Sequence, residues 1–321
     1  MKQDAENVVE KPVIVEIDEE RAGQRIDNFL ITRLKKLPKS RIYRLLRKGE
    51  VRVNKGRIKA DYRLQTGDQV RIPPVRLSPK VAEKPSDDSV DRVNSAIIYR
   101  DDSVLVMNKP SGMAVHGGSG VSYGVIEALR ALFPNEKHLE LVHRLDRETS
   151  GCLMVARKRS VLKSLHEQLR NNDIRKTYVA LVKGQWEGGK TTVEAPLKKN
   201  VQRSGERMVQ VDPTGKTAQS IFKPVRVFTD TTLVEVELVT GRTHQIRVHA
   251  AHVRHPIAGD EKYGQRGFNL TMKQRGLNRL FLHAKSLSFT LPGMDAPTTV
   301  VAPLGEELEA VLRTLADEAS T

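Results

Sequence analysis

The sequence predicts an α+β protein in two folded parts. A small α/β module comes first, then a larger domain on a mixed, mainly antiparallel β-sheet with flanking helices. Three observations predict this. A length of 321 residues exceeds one typical domain. Positive charge is concentrated near one end: residues 21–76 hold 17 Lys or Arg against 4 Asp or Glu, most of the chain's net +15. After residue 95, strand-to-strand hairpins outnumber strand–helix–strand alternation, which favours an antiparallel sheet.

Residues 1–20 carry seven acidic and two basic side chains and no apolar stretch after a basic start, so they read as an acidic N-terminal segment rather than a secretory signal. In residues 21–76, Ile26, Phe29, Leu30, Leu34 and Leu37 recur at helical spacing until Pro38 stops the run. Ser40 is placed to cap a second helix, Arg41 to Lys48, ended by Gly49. Ile42, Leu45 and Leu46 form its apolar side, and Arg41, Arg44, Arg47 and Lys48 the other. Val51-Arg52-Val53, a turn at Asn54-Lys55-Gly56 and a strand at Gln69-Val70-Arg71-Ile72 complete a small sheet. With few acidic counter-charges nearby, Arg41, Arg44, Arg47, Lys48 and Arg52 are candidate contacts for an RNA backbone.

Residues 77–94 are polar and irregular and read as a linker. The larger domain, 95–321, opens with a hairpin of Ala96–Tyr99 and Val104–Met107. Helices are expected at Val125 to Phe133, at Val161 to Arg170 behind a Ser160 cap, and at Glu306 to Ala316 with Leu308, Leu312 and Leu315 on one face. Strands are expected at Tyr178–Val182, Leu233–Leu238 and Leu280–Phe289. The single cysteine, Cys152, excludes an internal disulfide and fits a reducing compartment; its apolar run makes it a core thiol. No apolar stretch approaches membrane-spanning length, so a cytoplasmic chain with no membrane association is expected.

The run Val142-His143-Arg144-Leu145-Asp146-Arg147-Glu148-Thr149-Ser150-Gly151 sets a carboxylate among cationic neighbours just before an apolar segment. Such neighbours favour the ionised form of Asp146, suiting it to act as nucleophile or base. Three other segments combine polar side chains with apolar strands: Asn108 to His116, Arg175 to Val182, and Thr240 to His249. His244, His249, His252 and His255 invite a metal reading, but Arg242, Arg247 and Arg254 lie among them and no complete ligand set is present, so no metal is expected.

Residues 21–76, through Arg25-Ile26-Asp27, Ser40-Arg41 and Gly49-Glu50-Val51-Arg52-Val53-Asn54, resemble an S4 RNA-binding domain. The four polar segments together, in order over residues 96–290, resemble the RluA-type pseudouridine synthases, whose hallmark is an HRLD run ending in Thr-Ser-Gly. The arrangement is most similar to the family's large-subunit ribosomal enzymes. The resemblance implies a sheet of pseudouridine synthase type and isomerisation of uridine in RNA without cofactor or metal. Bacterial 23S ribosomal RNA is the implied partner, and no obligate protein partner is implied. It assigns the essential aspartate to Asp146, a base-packing tyrosine to Tyr178 and a basic partner of the aspartate to Arg247, with Arg144 in support. It implies that Lys109 and His116 support the fold or touch phosphate, and that Gly259 to Gly264 is structural. An action on transfer RNA and a non-catalytic S4-type RNA-binding or ribosome-assembly protein are the alternatives. A glycosidase pairing Asp146 with Glu148 is a third, disfavoured by Arg147 between them and by the basic first domain.

Overall fold

The computed structural model describes residues 12–34, 37–75, 85–117, 123–201 and 207–319. The chain divides into two compact units, Met1–Val81 and Ala82–Thr321. The first unit contains β1 (Val13–Glu16), α1 (Ile26–Arg33), α2 (Lys39–Lys48), β2 (Arg52–Val53), β3 (Gly56–Arg57) and β4 (Gln69–Ile72). Its antiparallel sheet runs β1-β4-β2-β3. The helical-period residues of both helices, Ile26, Phe29, Leu30, Ile42, Leu45 and Leu46, are all buried in one core with Val53, Val70 and Ile72. The two-residue turn between β2 and β3 puts Asn54 and Lys55 at positive φ, the conformation a tight hairpin demands. The buried Asp27 carboxylate accepts from Arg25 at 2.7 Å and from the Tyr43 hydroxyl at 3.0 Å, tying α1 to α2.

Two expectations for this unit are corrected. Residues 1–20 include β1, which pairs with β4 from Val13↔Ile72 to Glu16↔Gln69, so the acidic segment contributes a strand. Ser40 does not cap α2. The extended break falls at Pro38, φ −56° and ψ 139°, so the serine lies inside the first turn.

The second unit contains α3 (Asp87–Ser95), β5 (Ile97–Arg100), β6 (Val104–Lys109), α4 (Val125–Leu132), β7 (Glu140–Leu141), β8 (Ser150–Ala156), α5 (Arg159–Asn171) and β9 (Arg175–Lys183). There follow β10 (Thr191–Glu194), β11 (Leu197–Val201), β12 (Arg207–Val211), β13 (Gln219–Val227), β14 (Thr231–Leu238), α6 (Gln245–His252), α7 (Arg266–Gln274), β15 (Leu282–Phe289), β16 (Thr298–Val301) and α8 (Glu306–Glu318). Of the expected linker, residues 77–84 lie outside the described residues and 87–95 form α3. Ser86 caps α3, and its first turn carries Asp87 and Asp88. Only Val93 of α3 is buried, which is why the segment carries no helical apolar period. The expected Ser160 cap is also corrected: α5 begins at Arg159 after extended Lys158.

The expected α+β class is observed. A ten-stranded sheet runs β10-β13-β14-β9-β15-β8-β6-β5, with β16 also on β15 and β7 on β8. Every pairing is antiparallel except β8 with β15. Strand β9 serves two cores by its period of two: Tyr178, Ala180 and Val182 face the main one, while Val179 and Leu181 join Leu308, Val311 and Leu315 of α8 on the opposite face. At the parallel junction Ser150 pairs with His283 and Gly151 with Ala284. A Cβ on Gly151 would overlap the Ala284 carbonyl and amide, and its φ of +106° disfavours any side chain. Gly151→Ala is therefore expected to destabilise the second unit by roughly 3 kcal/mol, from strain and overpacking together. Gly305→Ala, whose Cβ meets open space, is the control. Urea unfolding of both variants checks this; a Gly151→Ala midpoint equal to the control's would refute the steric account.

Candidate active site

The site is assembled at the ends of strands in the middle of the large sheet. The run 142–149 leads into β8, and a turn from Thr149 N–H to the Asp146 carbonyl at 3.2 Å fixes the backbone around Asp146. Lys109, fully buried at the end of β6, donates to the carbonyls of Pro110, Met113 and Arg147 at 2.8, 3.0 and 2.9 Å. Burial brings its ammonium down to about 7, with Glu148 and Asp146 pulling the other way and Arg279 adding to the fall. Gly112 N–H donates to the Arg147 carbonyl, Arg147 Nε to the Gly112 carbonyl and the Ser111 hydroxyl to the Glu148 carbonyl. The loop bearing Asp146 is thus clamped to the loop after β6. Lys109 acts there as a structural cation, as expected. His116 is exposed and lines the cleft described next.

That cleft, about 980 Å³, opens over Asp146. Six cations, Arg130, Arg144, Arg170, Lys176, Arg242 and Arg247, line it against two carboxylates, Glu140 and Asp146. Arg144 is exposed and, among the described residues, has no ion pair. Arg147 pairs with Glu148 at 3.6 Å, both exposed, and neither lines the cleft. Glu148 therefore does not share the cleft with Asp146 as the glycosidase pairing of these two carboxylates requires. Burial pushes the His143 imidazole down to about 4, with Lys176 adding to the fall, and its Nε2 accepts the Met154 N–H at 3.1 Å as a neutral ring.

Tyr178 is buried to 8% exposure and lines the cleft. Burial and then Asp146 raise its phenol above the ordinary tyrosine value. Lys176, two residues earlier on the same strand face, is also buried and lines the cleft; burial lowers its ammonium. Sequence reading passed over it as one of many strand lysines.

The expectation for Arg247 is corrected in one respect. Its guanidinium forks onto Asp260, Nε to Oδ2 at 2.8 Å and Nη2 to Oδ1 at 2.7 Å, in a buried bidentate pair. Asp146 is its more distant partner, Nη1 to Oδ2 at 3.8 Å. Asp260 also accepts the N–H groups of Lys262 and Tyr263, so the loop read as structural supplies the fixed anion of the site. His244 Nε2 reaches the same Asp146 oxygen at 3.8 Å. Thr240 to His249 is not a strand end. β14 stops at Leu238, and Gln245–His252 form α6, with every residue from Gln245 to Ala250 buried. Gln245 anchors the helix start: Oε1 accepts from Thr240 Oγ1 and Arg242 N–H, and Nε2 donates to the Gln219 carbonyl and Ser220 Oγ. Arg242 is exposed and donates to the Thr217 carbonyl. The four histidines do not converge: His249 bonds Ser220 and the Ala195 carbonyl, His255 the Lys183 carbonyl, and His252 is exposed.

In the first unit, Arg41, Arg44, Arg47, Lys48 and Arg52 are all exposed. Among the described residues none of them has an acidic partner; Arg52 Nε donates to the Gly49 carbonyl at 3.3 Å. No helix among the described residues is long and apolar enough to cross a membrane.

The profile of the RNA pseudouridylate synthase family matches residues 103–252, and that of the S4 domain residues 24–70. The chain is 56% identical over 306 residues to ribosomal large subunit pseudouridine synthase C of Escherichia coli strain K12, covering 94% of this chain and 96% of that protein. It is 53% identical over 309 residues to the Yersinia pestis protein of the same name, with 96% and 97% covered. Among solved structures, human RNA pseudouridylate synthase domain containing 4 superposes with a TM-score of 0.59 at 24% identity, over 71% of this chain and 95% of that one, and so shares its fold. The HRLD run over a cationic cleft, the tyrosine of β9, the α6 arginine and these similarities agree: the chain belongs to the RluA-type RNA pseudouridylate synthases and carries an S4 domain before the catalytic one.

Proposed function

We propose that this pseudouridine synthase acts on large-subunit ribosomal RNA and that Asp146 is its reacting carboxylate. One observation carries the reading: in a cleft lined by six cations, Asp146 lies within 3.8 Å of Arg247 and shares the cleft with the buried ring of Tyr178. The isomerisation conserves every heavy atom. The N1–C1′ bond breaks, the uracil turns in place, C5 joins C1′, the C5 proton leaves and N1 takes up a proton, so the formula is unchanged. No water needs activating, so a single carboxylate suffices, whether it attacks C1′ or the ring or removes the 2′ proton. The target uridine leaves its stack to reach Asp146, and the Tyr178 ring then offers a replacement face worth roughly 1–3 kcal/mol. The large-subunit RNA assignment rests on the relatives, which are named for it and align along nearly their whole length.

In this reading the first unit supplies phosphate contacts from Arg41, Arg44, Arg47, Lys48 and Arg52, and the cationic cleft holds the strand around the target, with Arg144 among its exposed groups. A purely RNA-binding protein would need none of the Asp146, Tyr178 and Arg247 constellation.

Asp146→Asn is expected to lower pseudouridine formation in ribosomal RNA by at least about 1,000-fold, as loss of a group acting in covalent catalysis does, while RNA affinity stays within about two-fold. Carbodiimide labelling with primer extension and filter binding read the two quantities. Normal modification by the variant would remove Asp146 from its role. Changing Arg41, Arg44 and Arg47 together to Gln is expected to weaken RNA binding and to reduce the slope of log affinity against log salt by about 2 to 3, given roughly 0.7–0.9 per phosphate contact. An unchanged slope would mean that this helix face does not touch RNA.

A further inference from the structure

His244 is the cleft residue that the reaction described above leaves without a task. It precedes α6 at φ 54° and ψ 20°, a left-handed conformation uncommon for a residue with a Cβ, and its ring lines the cleft. Its ring nitrogens have different neighbours. Nδ1 lies 2.8 Å from the Tyr263 hydroxyl, and Nε2 lies 3.8 Å from Asp146 Oδ2. The Tyr263 oxygen also accepts the Val209 N–H at 3.0 Å. A phenol has one proton to give, and among the described residues His244 Nδ1 is the acceptor in reach.

A hydroxyl proton given to Nδ1 leaves a neutral ring with its own proton on Nε2, toward Asp146. Burial favours the neutral ring. Asp146 opposes that, Arg247 and Lys262 reinforce it, and Asp260 opposes it from the loop beyond. Arg247 Nη1 approaches the same oxygen, Oδ2, while no donor among the described residues contacts Oδ1. Both contacts, at 3.8 Å, are about 1 Å longer than a hydrogen bond.

We propose that His244 is a positioning residue: Tyr263 holds it as the Nε2–H tautomer, so that His244 and Arg247 flank Oδ2 of Asp146 and Oδ1 is left to meet the nucleotide. The catalytic consequence rests on Asp146 being the reacting carboxylate; the tautomer does not. The relay begins on the β11–β12 hairpin, whose Leu197 and Val209 pack with Val248 of α6. The hairpin thereby reaches Asp146 through Val209, Tyr263 and His244. A purely packing role, through the edge-on contact of the two rings at 5.5 Å, makes different predictions.

Tyr263→Phe keeps that ring contact and removes the hydroxyl. His244→Asn tolerates the left-handed backbone but has no distal N–H, whereas His244→Gln has a distal N–H and no tautomer to set. On ribosomal RNA transcripts, Tyr263→Phe and His244→Asn are expected to lower kcat roughly 10–100-fold with KM within about two-fold, and His244→Gln to retain more activity than His244→Asn. Adding Tyr263→Phe to His244→Gln is expected to change kcat by less than about two-fold; the same loss in both backgrounds overturns the proposal. Nitrogen-15 spectra of the imidazole read the tautomer independently of turnover. Nε2–H in the natural protein, lost in Tyr263→Phe, is expected, and Nδ1–H in the natural protein overturns the proposal. Nε2–H together with full activity of Asp146→Asn would overturn the Asp146 reading and, with it, the catalytic half of this one.

Discussion

The buried guanidinium of Arg247 is the charge around which the catalytic unit is arranged. A cation at 8% exposure is tolerable only with a fixed anion and well-made hydrogen bonds, and Asp260 provides both through two parallel contacts. That commitment fixes α6 against the 260–263 loop. It also decides how Asp146 is held. Had Asp146 received the bidentate fork, its oxygens would be engaged and its approach to a nucleotide blocked. At 3.8 Å it feels the charge without being captured. Two carboxylates share one arginine unequally, Asp260 through a bidentate pair and Asp146 at a longer distance.

The opposite wall depends on a second constraint, the approach of β8 to β15 at Gly151 and Ala284. It draws the end of the Asp146 loop into the middle of the sheet, where the Ser150 hydroxyl, near His283 Nδ1 at 2.9 Å, accepts from Arg279 at 2.7 Å. The loop itself has no ladder to hold it. Its Arg147 carbonyl accepts instead from Lys109, whose buried ammonium also donates to the Pro110 and Met113 carbonyls of the loop after β6. On the far face of β9, α8 completes a separate core, so the strand that carries Tyr178 is packed from both sides.

What was legible in the sequence follows from these arrangements. Strand β9, packed on both faces, shows as a continuous apolar run, while the helices of the first unit, α4, α8, and the strands β14 and β15 bury one clear face, and their apolar period survives into the sequence. Helix α6 does not: Gln245, Arg247 and His249 are buried beside Ile246 and Val248, so no polar face exists to set a period. Helix α3 fails for the opposite reason, with one buried residue in nine. In the site, Asp146, Tyr178, Arg247 and Arg144 were visible through the family motif and converge on one cleft. Asp260 and Tyr263 were read only as part of a structural loop, His244 only as one of four histidines weighed for a metal, and Gln245 was not singled out, because their significance lies in partners far along the chain. An aspartate in a turn looks like any other until Arg247 is seen to fork onto it.

Burial also sorts the cations of the cleft by what RNA can do to them. In the proposed function a polyanion brings negative charge toward the Asp146 carboxylate, a like-charge cost. Arg130, Arg144, Arg170 and Arg242 are exposed and open to phosphate, so they can offset that charge as the strand arrives. Arg247 cannot be drawn away in the same manner, because leaving Asp260 would strand a buried carboxylate without its partner. The exposed arginines thus answer to the substrate and the buried one to the protein. Asp146 keeps a cation beside it in the loaded cleft because that cation is held in place by a different acid.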